Sequence, residues 1–100
     1  MTEYLIDLTN VRSFADFVAA FNEGMIDSLG YHWTGNLDAF NDYLYWPTDG
    51  MPQDPYRLIL IGWGDCAKVL EHHTAPDGRS MLDVIDETFK DNPQAKIVYK

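Results

Sequence analysis

Apolar residues recur along this chain with three different spacings. Glu3-Tyr4-Leu5-Ile6-Asp7-Leu8 alternates and is rich in strand formers, which predicts a first strand. Phe14, Phe17, Val18 and Phe21 follow at helical spacing. Ser13 stands at the N-cap of that helix with Asp16 three residues on, and Gly24 is expected to end it. Residues 26–35 read as a loop carrying Gly30, Tyr31, His32, Trp33 and Gly35. Asn36 then caps a short second helix with Leu37, Phe40 and Leu44 as its stripe. Pro47, Gly50, Pro52 and Pro55 predict an irregular connection.

Arg57-Leu58-Ile59-Leu60-Ile61-Gly62 is the most apolar run, too short for a helix and expected to be a strand covered on both faces. Asp65 is placed as the cap of a third helix through Cys66, Val69 and Leu70, and Thr74–Arg79 as a turn. Ser80 with Asp83 repeats the capping pattern ahead of Leu82, Val84, Ile85 and Phe89, giving a fourth helix, and Lys96–Tyr99 is a last strand. In the order strand, helix, helix, strand, helix, helix, strand, the helical connections can return each strand parallel to the one before. The expected fold is α/β: a small three-stranded parallel sheet packed with about four helices, as one domain over residues 1–100.

Composition narrows the class. At 100 residues with 46% apolar and 14% aromatic content, the chain can bury one core and is far from the signature of disorder. No apolar run approaches a membrane span, the first residues lack a basic, hydrophobic leader, and a single cysteine cannot form an internal disulfide. The expectation is a cytoplasmic protein with no membrane partner. Sixteen acids against seven bases give a net charge of −9, which argues against a nucleic-acid partner. The imbalance is concentrated in the first fifty residues, where Arg12 is the sole base among eight acids. An acidic surface serves solubility, or it attracts a basic partner.

Few residues suggest catalysis. Cys66, His72 and His73 match no zinc spacing, and no glycine-rich loop has phosphate-binding form, so no cofactor or metal is expected. The second helix is more informative. Asp38 and Asp42 lie four apart, on one face and away from the Leu37–Phe40–Leu44 stripe. Tyr31, Trp33, Tyr43, Tyr45 and Trp46 crowd its two ends. A solvated face over core-capping aromatics and a grip for a basic cleft fit this spacing equally well. A small enzyme using Asp38, Asp42 and a histidine is a third possibility from a different class.

The segment Trp33-Thr34-Gly35-Asn36-Leu37-Asp38-Ala39-Phe40-Asn41-Asp42-Tyr43-Leu44 resembles the signature helix of the barstar-type ribonuclease inhibitors. Ile6-Asp7 with Val11-Arg12-Ser13, then Tyr56–Trp63, then Met81–Glu87 with Lys96–Tyr99, are similar to that family's remaining elements in the same order. The resemblance implies a non-catalytic intracellular inhibitor or immunity protein that plugs the basic active site of a ribonuclease or ribonuclease-type toxin. It implies that the second helix and its preceding loop enter the cleft. Asp42 matches the dominant contact, Asp38 its neighbour, and Glu87 the acid from the last helix. His32, Trp33, Asn36, Asn41, Tyr45 and Trp46 complete the implied binding residues. Asn41 stands where the best-known member has an aromatic, and His32 where a tyrosine is expected. Gly35 adjoins Asn36, and the Thr48–Asp54 segment is longer. A module of this kind adapted to another basic protein is the alternative.

Overall fold

A computed structural model describes residues 2–45 and 55–100. Three strands, β1 (Glu3–Asp7), β2 (Tyr56–Ile61) and β3 (Ala95–Tyr99), form a fully parallel sheet in the order β1-β2-β3. Four α-helices accompany them: α1 (Phe14–Phe21), α2 (Leu37–Tyr45), α3 (Trp63–Glu71) and α4 (Met81–Asp91). The predicted element order and fold class are therefore those of the molecule. The connection expected around Pro47, Gly50 and Pro52 lies outside the described residues.

Two helix starts follow their local signals. The Ser13 hydroxyl accepts from the Asp16 N–H at 3.2 Å, and the Ser80 hydroxyl from the Asp83 N–H at 3.2 Å. Asp16 reaches back one residue further than a reciprocal box requires and accepts from the Arg12 N–H at 3.0 Å. The third helix departs from expectation. It begins at Trp63, two residues before Asp65, and its N-cap is Gly62, whose φ of 77° places it in the left-handed region. A side chain there would meet Thr9 at 3.0 Å, so glycine serves both conformation and clearance.

Gly24 is likewise not a helix end. α1 continues through a π-helical turn (Asn22–Ile26) and a 3₁₀ turn (Asp27–Leu29), and stops at Gly30 with φ 86°. Residues 26–29 are thus helical rather than loop. Gly24 is where the helix crosses β1: a Cβ would lie 2.6 Å from the Leu5 carbonyl oxygen and 2.7 Å from Ile6 Cδ1. The wide turn puts Asn22, Met25 and Ile26 on the buried side together.

The core lies between the sheet and the helices. Ile6, Leu58 and Leu60 from the sheet meet Phe17, Phe21, Phe40, Leu44, Leu70 and Ile85 from the helices, all with no exposed surface. Phe17, Phe21, Trp33 and Phe40 interlock, with Trp33 stacked on Phe40 at 4.6 Å between ring centroids and Phe21 edge-on to Phe40 at 5.0 Å. The expectation that β2 is covered on both faces is not met among the described residues. Tyr56, Leu58 and Leu60 are buried, whereas Arg57, Ile59 and Ile61 are half-buried and stand outside the core cluster. The continuous apolar run reflects one face in the core and a second that is half-buried and, among the described residues, outside the core cluster.

Gly24→Ala should lower stability by about 2 kcal/mol or more, because its methyl group meets backbone and not a movable side-chain end. Gly64→Ala, at a helical position with nothing within 4 Å, should raise it by about 0.5–1 kcal/mol. Urea unfolding of the two variants checks the pair, and equal effects would contradict the crossing.

Candidate functional site

α2 is held at both ends. Asn36 caps it, its Oδ1 accepting from the Ala39 N–H at 3.1 Å, and Asp38 sits in the first turn where the helix dipole favours an anion. At the other end the Leu44 carbonyl accepts from the Tyr56 hydroxyl at 2.6 Å and from Gln94 Nε2 at 3.0 Å, which ties one of the helix's unpaired carbonyls to β2 and to the turn before β3. Burial raises the Tyr56 hydroxyl's pKa well above its ordinary value, so it stays a donor. Asn41 Oδ1 accepts from Asn92 Nδ2 at 2.8 Å, and Asn92 is buried and also donates to the Thr88 carbonyl. With Phe40 and Leu44 in the core, Asp38, Asp42 and Tyr45 are exposed at i, i+4 and i+7, on one outward face.

The preceding loop is fixed by one buried side chain. Asn22 Nδ2 donates to the Trp33 carbonyl at 2.8 Å, and its Oδ1 accepts from the Trp33 N–H at 2.7 Å. The Trp33 indole N–H donates to the Asn36 carbonyl at 2.7 Å, which joins loop to cap. Trp33 is therefore a core residue, 1% exposed, and its ring offers a partner nothing. The resemblance implies Trp33 among the binding residues; in this chain the Asn22 bonds turn its ring into the aromatic layer. Tyr31, 42% exposed and 5.7 Å from the Tyr43 ring, is the loop aromatic that faces outward. His32 is exposed, with Nδ1 3.2 Å from Asp27 Oδ1. It borders a separate depression with Asp27, Glu23 and Thr34.

A groove of about 760 Å³ runs between the start of α2, the 74–79 turn and α4. Asn36, Asp38 and Asn41 line one side, and Asp77, Arg79 and Asp91 the other, over a floor that includes Leu37, Met81 and Val84. The turn is folded back by the Thr74–Ser80 bridge. Arg79 hydrogen-bonds Asp77 at 2.7 Å and also pairs with Glu87. Bonds from the Arg79 backbone and side chain lower the Asp77 pKa, and those to Glu87 and Asp77 raise that of Arg79. Glu87, implied as a binding acid, is thus exposed but already shares a cation of its own chain. Asp77, Arg79 and Asp91 were not candidates in the sequence; the turn brings the first two to the groove beside α2 and the end of α4 brings Asp91, through contacts that no local spacing reports.

The implied residues consequently divide. Asn36, Asp38 and Asn41 border the groove, and Glu87 reaches it through Arg79. Asp42 and Tyr45, with Asp38 common to both sets, lie on the outward face of α2, and Trp46 is outside the described residues. Neither Asp38 nor Asp42 forms an ion pair among the described residues. No group of three or more His, Cys, Asp or Glu close enough to hold a metal ion occurs among them. Cys66 is buried, and burial pushes its thiol up to about 11, so it is protonated at neutral pH. His73 stacks on Phe14 at 5.3 Å. No described helix is long and apolar enough to cross a membrane. No family model matches the chain, and no curated protein matches it in sequence.

Two outcomes are expected. Asn22→Ala, which strands the N–H and carbonyl of Trp33, should lower stability by about 2–4 kcal/mol and red-shift tryptophan emission, read by urea unfolding followed through fluorescence. Cys66 has a folded pKa above its ordinary value, so its contribution is full below pH 9 and is lost as pH rises towards 11. Stability should then fall by at most about 1.4 kcal/mol per pH unit from this group. Cys66→Ala, though less stable at pH 8, should lose less than the parent between pH 9 and 10.5.

Proposed function

We propose that this protein is a cytoplasmic inhibitor of a basic ribonuclease, acting as an immunity protein that blocks the nuclease cleft with the outward face of α2. The observation that carries this is the state of Asp38 and Asp42. They stand on a helix clamped at both ends, exposed, with no ion-pair partner among the described residues, and the sequence from Ser13 to Tyr56 contains no Lys or Arg. Charges left without local counter-ions add little to folding, and like charges four apart on a helix oppose it by about 0.2–0.5 kcal/mol. They are worth most against cations supplied by a partner, where they speed encounter and set register. A ribonuclease cleft is lined with cations to hold phosphate, and a rigid acidic helix occupies it without a reaction. Tyr45, 46% exposed beside Asp42, and Tyr31 supply aromatic surface for the rim or core of such a contact. The likeness of Asn36–Leu44 to the barstar-type helix supports the same reading.

A second reading is favoured by one observation: Glu87 is paired with Arg79, and Trp33 is in the core. With those two contacts reduced, the acidic face would suit a basic protein other than a ribonuclease.

Asp42→Asn tests the proposal. The free protein should be as stable as the parent or slightly more so, since Asp42 lies past the first turn and gains nothing from the helix dipole. Inhibition titrated against small basic ribonucleases should weaken by about 2–5 kcal/mol of binding energy. A lowered urea midpoint with undiminished inhibition would contradict it. Capture of a basic protein through Asp42 with no nuclease inhibited would favour the second reading.

A further inference from the structure

The side of the sheet opposite the core carries an apolar row, which at its β1 edge borders a depression shared with α1. Leu5, Ile59 and Val98 stand in register across β1, β2 and β3, and Ile61 follows on β2. None of the four belongs to the core or packs against it, and Leu5 is 58% exposed. Ile59, Ile61 and Val98 are half-buried. Parallel sheets are as a rule buried on both faces, so an apolar face left open at Leu5 calls for a cover.

The polar residues around the row are arranged by sign. Glu3, Arg57 and Lys96 form the row on one side of it. On the other side Asp7 pairs with Ile61, and Lys100 extends β3, its N–H donating to the Leu60 carbonyl at 2.9 Å. The acids are therefore on β1 and the lysines at β3. We propose that this face is a contact between two copies of the chain, related by a two-fold axis that runs along β2.

That operation lays β1 of one copy over β3 of the other, with strand directions aligned as in sheet-on-sheet packing. Leu5 then meets Val98, Glu3 meets Lys96, Asp7 comes towards Lys100, and Ile59 meets its own counterpart on the axis. Arg57 is drawn off the axis by Glu3, to which it bonds at 2.6 Å. A two-fold axis across the strands would instead stack acid on acid. In a chain of net charge −9, two copies repel over most of their surfaces. This face is of mixed sign: Glu3 and Asp7, with Asp16 and Glu23 beside them, lie at β1, and Arg57, Lys96 and Lys100 lie at β2 and β3, so a second copy of this same chain brings acids over cations here. Three strands of five or six residues span about 250 Å² in plan, well under the ~800 Å² per partner of a standard interface. The dimer is accordingly weak, populated at high protein concentration.

Sedimentation equilibrium of the full chain from about 20 µM to about 2 mM tests this. The average mass should rise from 11.5 kDa towards twice that value. Leu5→Lys, at an exposed position that leaves the melting curve unchanged, should weaken association at least about tenfold. Glu3→Lys and Lys96→Glu should each weaken it, and the two together should restore it, because each charge again faces its opposite across the axis and Arg57 keeps a carboxylate in its row. A constant 11.5 kDa at about 2 mM would overturn the proposal. So would association indifferent to Leu5→Lys, or a double variant weaker than both single ones.

Discussion

The two hydrogen bonds between the Asn22 side chain and the backbone of Trp33 are the contact on which the rest of the candidate site depends. They are made inside the core, where an unpaired amide is expensive, so they have few alternatives. Asn22 can make them because the helix after Phe21 widens into a π turn that brings it inward. That widened stretch passes over β1 at Gly24, a crossing only glycine permits. Through Trp33 the constraint runs on to Asn36, whose carbonyl receives the indole N–H and whose side chain caps α2. A backbone approach at the sheet edge thereby sets where an acidic helix begins, some distance away in sequence.

The same chain of contacts separates folding from surface chemistry on α2. Its inward residues stack with Trp33 and Phe21, and its last turn is bonded to Tyr56 and Gln94. None of those contacts uses Asp38 or Asp42. A helix held so firmly can carry a carboxylate such as Asp42 that does not help it fold, and a prearranged charged face loses little entropy when a partner arrives. Asn41 is different. It bonds Asn92 and belongs to the junction between α2 and α4 as much as to any interface.

What was legible in the sequence was local. Ser13, Asn36 and Ser80 announce helix starts because a cap is satisfied within three residues. The parallel sheet follows from helices lying between strands. The misreadings all involve distant partners. Gly24 looks like a stop signal until Leu5 is placed beneath it, and Asp65 looks like a cap until Thr9 is seen to require glycine at 62. Trp33 sits in a loop beside glycines, which suggests exposure, and only Asn22, eleven residues earlier, draws it inward. The β2 run reads the same whether its second face is covered or merely apolar. The acids of α2 were legible as a face, whereas the pairing of Glu87 with Arg79 was not, since it depends on how the 74–79 turn folds back.

The central claim is that the carboxylates of α2 act on a cationic partner and do little for the fold, and the salt dependence of association tests it most directly. Stopped-flow mixing with an inhibited ribonuclease should show an association rate that falls by at least about tenfold between 0.05 and 0.5 M NaCl, as the screening length shrinks from about 14 Å to about 4 Å. The dissociation rate should change far less. An association rate that stays flat across that range would mean that the acidic face serves solubility alone.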